Sequence, residues 1–271
     1  MTFSNITLND GAKIPSIAFG TGSVWKGQDV VTYIDQALEA GFSHIDTAAI
    51  YKNEDSVGTA IRESGLQRSD LYITTKFDGG IIRDALLSSL SKIGIKSVDL
   101  YLIHFPGVIA DGDLEGAWAQ MEAVRDEGLA KSIGVSNFKV ADLKRVVKVA
   151  KVIPVVNQIR FHPYNFAEYA ELLEYSAQYG IVTEAYGSLA PITTFPNGPL
   201  SPLLSTIAKR LSTDEKVQAT PAQVIFKWVQ SKGAVIVTTS GKKERLEEYL
   251  AVESLREFST IGQGDPCKQE G

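Results

Sequence analysis

Four side chains of this sequence could together move a proton. Asp46, Lys76 and His104 each close a short run rich in β-branched and aromatic residues, and Tyr51 follows five residues after Asp46. A phenol, with a pKa near ~10, is a weak acid toward an alkoxide-like oxygen unless it is helped. A neighbouring ammonium stabilises the phenolate and lowers that pKa. A carboxylate on the ammonium keeps it charged and in place, and an imidazole can orient a carbonyl by hydrogen bonding. The set suits reduction of a C=O group with hydride arriving from a cofactor. It suits acyl transfer poorly, because the chain has no G-x-S-x-G elbow. Taken singly, each residue has a plainer use: Asp46 as a turn former, Tyr51 as a rim aromatic, Lys76 as a solvated charge, His104 as a structural histidine. Their company argues otherwise, since Ser136-Asn137, Gln158, Tyr186 and Ser240 end later runs of the same kind.

These side chains meet only if the runs that carry them are parallel strands opening on one mouth. The runs span 16–20, 43–47, 71–76, 98–104, 132–137, 155–158, 181–186 and 234–240, with helical segments between them. In the first such segment Val30, Val31, Ile34, Ala37 and Leu38 share one face of a 3.6-residue period, with Asp29 to cap it and Gly41 to end it. Thr220-Pro221 opens another, whose stripe continues through Val224, Ile225 and Trp228. Eight strands alternating with helices predict an α/β fold, a (β/α)8 TIM barrel, rather than the alternative of an open doubly wound sheet. Before the first strand, ITLNDGAKIP reads as a β-hairpin turning on Asn9, Asp10 and Gly11. The longest irregular insertion is expected at 187–219, and no linker divides residues 1–271 into more than one domain.

Composition narrows the partners. At 44% hydrophobic residues the 271-residue chain can bury one large core, and a net charge of -5 without a long basic run argues against nucleic acid or an anionic membrane. No segment reaches the ~18 apolar residues of a membrane span, and the N-terminus lacks the basic and apolar regions of a secretory signal. The single cysteine, Cys267, allows no disulfide framework, so a reducing, cytoplasmic setting is expected. Three histidines, His44, His104 and His162, without an H-x-x-x-H pair or a second cysteine, make a metal site improbable. Composition fixes no oligomeric state; a monomer is expected, with a dimer open.

With the motifs in order, the sequence resembles the aldo-keto reductases. GFSHIDTAAIY (41–51), ITTKF (73–77), VDLYLIHFP (98–106), SIGVSNF (132–138) and VNQIRFHPYN (156–165) are similar to that family's motifs, and the resemblance extends to about residue 258. It implies Tyr51 as general acid, tuned by Lys76 and Asp46, with His104 orienting the carbonyl. It further implies that Ser136, Asn137 and Gln158 hold a nicotinamide carboxamide, that Tyr186 stacks on the ring, and that Trp25 lines the substrate pocket. The cofactor reading has its own support. Gly20-Thr21-Gly22-Ser23-Val24-Trp25 lacks the third glycine of a dinucleotide fingerprint. Ser240-Gly241-Lys242-Lys243-Glu244-Arg245 instead places free N–H groups and cations at a helix start, where phosphate binds. Lys242 and Arg245 are therefore expected at a 2′-phosphate, which selects NADPH, and Gly187, Ser188 and Leu189 at the pyrophosphate.

The sequence also departs from the family pattern. Val237-Thr238-Thr239-Ser240 stands where many members carry I-P-K-S, and looks like the fungal branch that reduces α-keto amides, conjugated polyketones and ketopantoyl lactone. Arg160 stands where glutamate is usual. The end, 259–271, is glycine-rich and short where the family has a helix and a tail over the mouth. The expected function is NADPH-dependent reduction of a small-molecule aldehyde or ketone. The alternative is an NADPH-binding regulatory subunit with little turnover, against which the short N-terminus speaks.

Overall fold

A computed structural model describes residues 4–212 and 219–255. The tail 259–271, with Cys267, lies outside the described residues. The hairpin forms as expected: β1 (Asn5–Thr7) pairs antiparallel with β2 (Lys13–Pro15), and Gly11 takes the left-handed conformation, φ +86°, that the turn requires. Eight further strands close into a parallel barrel. They are β3 (Ile17–Gly20), β4 (His44–Asp46), β5 (Tyr72–Phe77), β6 (Val98–Ile103), β7 (Ala130–Ser136), β8 (Val156–Arg160), β9 (Val182–Tyr186) and β10 (Val235–Thr238). All eight predicted strands are present, and β10 closes the ring by pairing with both β3 and β9.

The helices are α1 (Val31–Ala40), α2 (Glu54–Glu63), α3 (Ile82–Ile93), α4 (Leu114–Asp126), α5 (Val140–Val149), α6 (Ala170–Gln178), α7 (Ala190–Thr193), α8 (Ser201–Leu211), α9 (Pro221–Gln230) and α10 (Lys243–Leu250). Local chemistry sets their ends. Asp29 Oδ1 accepts the Val31 N–H at 2.9 Å, and Gly41 at φ 115° stops α1. Thr220 and Gln223 form a reciprocal capping box around Pro221. The segment 187–219, expected to be irregular, carries α7 and α8. In α8, Leu204, Ala208 and Leu211 form a buried stripe at helical spacing, and Pro202 sits in the first turn, where its missing N–H costs nothing. Among the described residues, no helix is long and apolar enough to cross a membrane.

Period two along the strands sorts the side chains. Ile45, Ile73, Tyr101, Ile103, Ile133 and Val135 join the core between barrel and helices. Inside the barrel, Leu100, Leu102, Val156 and Val235 form an apolar floor covered from below by Leu8 and Ile14 of the hairpin. The polar side chains of His44, Asp46, Thr74, Lys76, Gln158 and Glu184 are also buried. Backbone register brings them together: Asp46 pairs with Thr74 and Gln158 with Glu184.

Candidate active site

The site grows out of a buried ion pair. Lys76, second to last in β5, is fully buried, and its Nζ donates to Asp46 Oδ1 at 2.7 Å and to the Thr47 carbonyl at 2.9 Å. Its third direction meets Tyr51 Oη at 3.5 Å. Tyr51 ends a single 3₁₀ turn, Ala49–Tyr51, stopped by Lys52 at φ 54°. Gly22 packs against the Tyr51 ring, where a Cβ would collide with it. Burial pulls the Lys76 ammonium toward neutrality, but Asp46 and Tyr51 outweigh it and leave its pKa above the ordinary range. Burial pushes the Tyr51 phenol up, and Lys76 pulls it back only in part. The lowered phenol pKa expected from the sequence is therefore not reached: the lysine limits the rise rather than reversing it.

His104 follows β6 and faces Tyr51 edge to face, with ring centroids 5.6 Å apart. Its Nδ1 lies 2.6 Å from Asp78 Oδ1. The other oxygen of Asp78 accepts the backbone N–H of Ile50 at 2.9 Å. Asp78 thus ties the imidazole to the turn that carries Tyr51. Burial lowers the His104 pKa, and the hydrogen bond to Asp78 opposes it. Sequence reasoning missed Asp78, two residues beyond Lys76, because an aspartate before Gly79-Gly80 reads as a turn residue. The available signal was its place at the same mouth as His104.

Across the mouth, Asn137 is held at φ 61° and donates to the His104 carbonyl and to Ser136 Oγ, each at 3.0 Å. Its Oδ1 accepts from Tyr186 Oη at 2.8 Å. Ser136 donates to the Gln158 carbonyl at 2.8 Å, so it braces this wall and does not itself line the cleft. Gln158 uses its amide N–H groups on two carboxyls, Asp46 Oδ2 at 2.8 Å and Glu184 Oε2 at 3.0 Å. Its own Oε1 accepts no hydrogen bond among the described residues, and Gln158 lines the cleft. Glu184, also missed in the sequence because it sits mid-strand, is fully buried. Burial first and the Asp46 charge second push its carboxyl up to about 8.

A cleft of about 820 Å³ runs from this centre along the ends of β9 and β10. Tyr51, His104, Gln158 and Tyr186 border one end. Gly187, Ser188, Leu189, Ser240, Lys242 and Arg245 border the other. Lys243 is turned away into an ion pair with Glu39 at 2.8 Å, whereas Lys242 and Arg245 have no carboxylate partner among the described residues. Trp25 lines the cleft too, mostly buried, stacked on Tyr33 with centroids 4.3 Å apart and set against Gly241. Arg160 lies beside Gly187, packing its Cγ against the position of a Cβ there at 3.4 Å.

The donor set fits a nicotinamide dinucleotide: an amide oxygen and an aromatic ring near Tyr51, and at the far end beside a helix start two cations, the oxygen and the cations without partners among the described residues.

Residues 16–261 match the aldo/keto reductase family. The chain is 37% identical to the NAD/NADP-dependent indole-3-acetaldehyde reductase of Schizosaccharomyces pombe, over 93% of each protein. It is 36% identical to the methylglyoxal reductase DkgA of Escherichia coli, covering 98% of this chain and 95% of that one. Among solved structures, an aldo/keto reductase from Brucella melitensis superposes with a TM-score of 0.80 at 36% identity, covering 96% of this chain and 97% of the other. A closed parallel barrel with Asp, Tyr, Lys and His converging at its mouth, joined to this similarity along nearly the whole length, makes the chain an oxidoreductase of the aldo/keto reductase family.

Proposed function

We propose that this enzyme reduces small activated carbonyl compounds to alcohols with NADPH, with Tyr51 as the proton donor. The observation that carries the reading is the line Tyr51–Lys76–Asp46, at 3.5 and 2.7 Å, ending in the cleft opposite His104. NADPH, when bound, supplies the hydride to the carbonyl carbon. Gln158 and Asn137 would hold the carboxamide, with Ser136 bracing them, and Tyr186 would cover the nicotinamide face. Gly187, Ser188 and Leu189 would border the pyrophosphate; Ser240, Lys242 and Arg245 would hold the 2′-phosphate. The substrate oxygen then lies between Tyr51 and His104, and Trp25 walls the pocket. Tyr51 Oη gives its proton to that oxygen, and the phenolate left behind is stabilised by the Lys76 ammonium, which Asp46 keeps charged.

The substrates we propose are activated carbonyls: α-keto esters and amides, diketones and related aldehydes. Two features support this: the V-T-T-S form of 237–240, similar to the fungal α-keto amide branch, and the dicarbonyl named for the Escherichia coli relative. A monomer in a reducing, cytoplasmic compartment fits the reading.

Replacing Tyr51 by Phe is expected to lower kcat for isatin or an α-keto ester by about 10²–10⁴-fold while NADPH still quenches protein fluorescence. Near-normal turnover in that variant would remove Tyr51 from the role. A native enzyme silent across a panel of aldehydes and ketones, yet binding NADPH, would favour a binding subunit instead.

A further inference from the structure

To orient a carbonyl, His104 must aim an N–H at the substrate. Its surroundings decide where that N–H is. Asp78 places one oxygen 2.6 Å from Nδ1 and the other on the Ile50 N–H, and its side chain is 10% exposed. No lysine or arginine pairs with Asp78 among the described residues. A carboxylate only accepts, so Nδ1 must carry a hydrogen. Among the described residues Nε2 makes no hydrogen bond, and His104 lines the cleft. In a neutral ring protonated on Nδ1, Nε2 presents a lone pair. It becomes a donor only in the imidazolium.

We propose that Asp78 is a positioning residue that fixes the Nδ1–H form of His104, so that the ring donates to a carbonyl oxygen only as the imidazolium and accepts from an alcohol hydroxyl when neutral. The tautomer stands on geometry alone; its kinetic consequence rests on the reductase reading. Through Ile50 the same carboxylate holds the turn of Tyr51, so imidazole and phenol share one anchor. The charged groups around the ring come from several elements. Asp78 lies just past β5 and Asp46 at the end of β4, and both favour the imidazolium. Lys76 of β5 opposes it, as does burial. The Phe105 ring stacks on it at 4.4 Å, Tyr51 packs edge to face with it, and Lys26 stands 5.0 Å from the centroid of that Tyr51 ring. Reduction should therefore weaken as pH rises through the His104 pKa, while alcohol oxidation does not weaken through the same titration.

Nitrogen-15 spectra of the ring-labelled protein test this directly, because only His44, His104 and His162 contribute. Neutral His104 is expected as the Nδ1–H tautomer in the native protein. Asp78→Asn keeps a single acceptor oxygen; with that oxygen on the fixed Ile50 N–H, the amide N–H faces Nδ1, and the neutral ring is expected as Nε2–H. In Asp78→Leu, with no acceptor at Nδ1, the same Nε2–H form is expected. The imidazolium is less stable in Asp78→Asn, so the titration moves toward acid by about one pH unit or more. The alkaline limb of kcat/KM for reduction should be lost in both variants, where a neutral ring can donate. A native His104 found neutral as Nε2–H overturns the proposal, as do identical titrations in the native protein and Asp78→Asn. Silence toward every carbonyl would sink the reductase reading and leave the spectra to judge the tautomer. Should Asp78→Leu fail to fold, the near-isosteric Asp78→Asn still decides.

Discussion

Lys76 and Asp46 are a buried charged pair, and neither would survive there alone. A buried ion pair adds little net stability against an apolar replacement of both partners, but removing one partner leaves the other charge uncompensated, at about 3–5 kcal/mol. Lys76→Met is expected to lose stability of that order, read as a lower urea midpoint at pH 7 with an unchanged m-value. A loss below about 1 kcal/mol would mean that Gln158 and solvent already carry Asp46. Deeper in the barrel, Glu184 and His44 give stability a pH dependence of opposite sign. The Glu184 pKa rises from 4.5 to about 8, chiefly by burial, so between those values the folded state keeps a proton the unfolded chain has released. Stability falls with rising pH across that window. The His44 pKa drops from 6.5 to about 4, also by burial, so the unfolded chain binds the extra proton there and stability rises with pH between 4 and 6.5. Glu184→Gln should therefore gain on the native protein steadily from pH 4.5 to 8, and a constant difference in unfolding midpoint would refute the assignment. Asp46, Lys76 and His104 were legible in the sequence because each lies at or beside a strand's C-terminal end, and Tyr51 because it follows one closely. Glu184 was not, because parallel strands buried on both sides are expected to be apolar.

The start of α10 shows how one element sorts neighbouring charges. Lys242, Lys243 and Arg245 are within four residues, and from the sequence alone Lys242 and Arg245 are assigned to a phosphate. The helix separates them: Lys243 faces α1 and Glu39, whereas Lys242 and Arg245 line the cleft. Arg245→Ala is expected to weaken NADPH binding by about 1.5–3 kcal/mol, the worth of a charge-assisted hydrogen bond, with NADH little changed. Lys243→Ala should leave both dissociation constants near their native values. Equal losses of NADPH and NADH in Arg245→Ala would place the 2′-phosphate elsewhere. The segment after β9 was harder to read. Its helical stripe, Leu204, Ala208 and Leu211, is short and follows a Gly- and Pro-containing stretch, so turn signals masked it. Packing against α9 helps make those positions a buried face.

The whole barrel divides its labour between two ends, and only one was visible in advance. Counting strands and noting which polar residues end them located the mouth. The hairpin was also legible, from Asn9-Asp10-Gly11, but not its use, since no local pattern tells which end of a barrel a preceding hairpin covers. Ile14 is fully buried and Leu8 nearly so, both on the floor with Leu100, Leu102 and Val156. The polar side chains of Thr74, Glu184 and Gln158 are buried as well, so the hairpin shields the barrel interior from below. Because the chemistry of this fold lies at the opposite, C-terminal face, damage to the floor should cost stability and not catalysis. Ile14→Ala is expected to destabilise by about 2–5 kcal/mol, the range for a large-to-small change that leaves a cavity. Its kcat and KM at 25 °C should stay within about twofold of native while its thermal midpoint falls. A fall in kcat without a fall in stability would mean that the floor positions Lys76 and Asp46 from below, and that the two ends of the barrel are coupled.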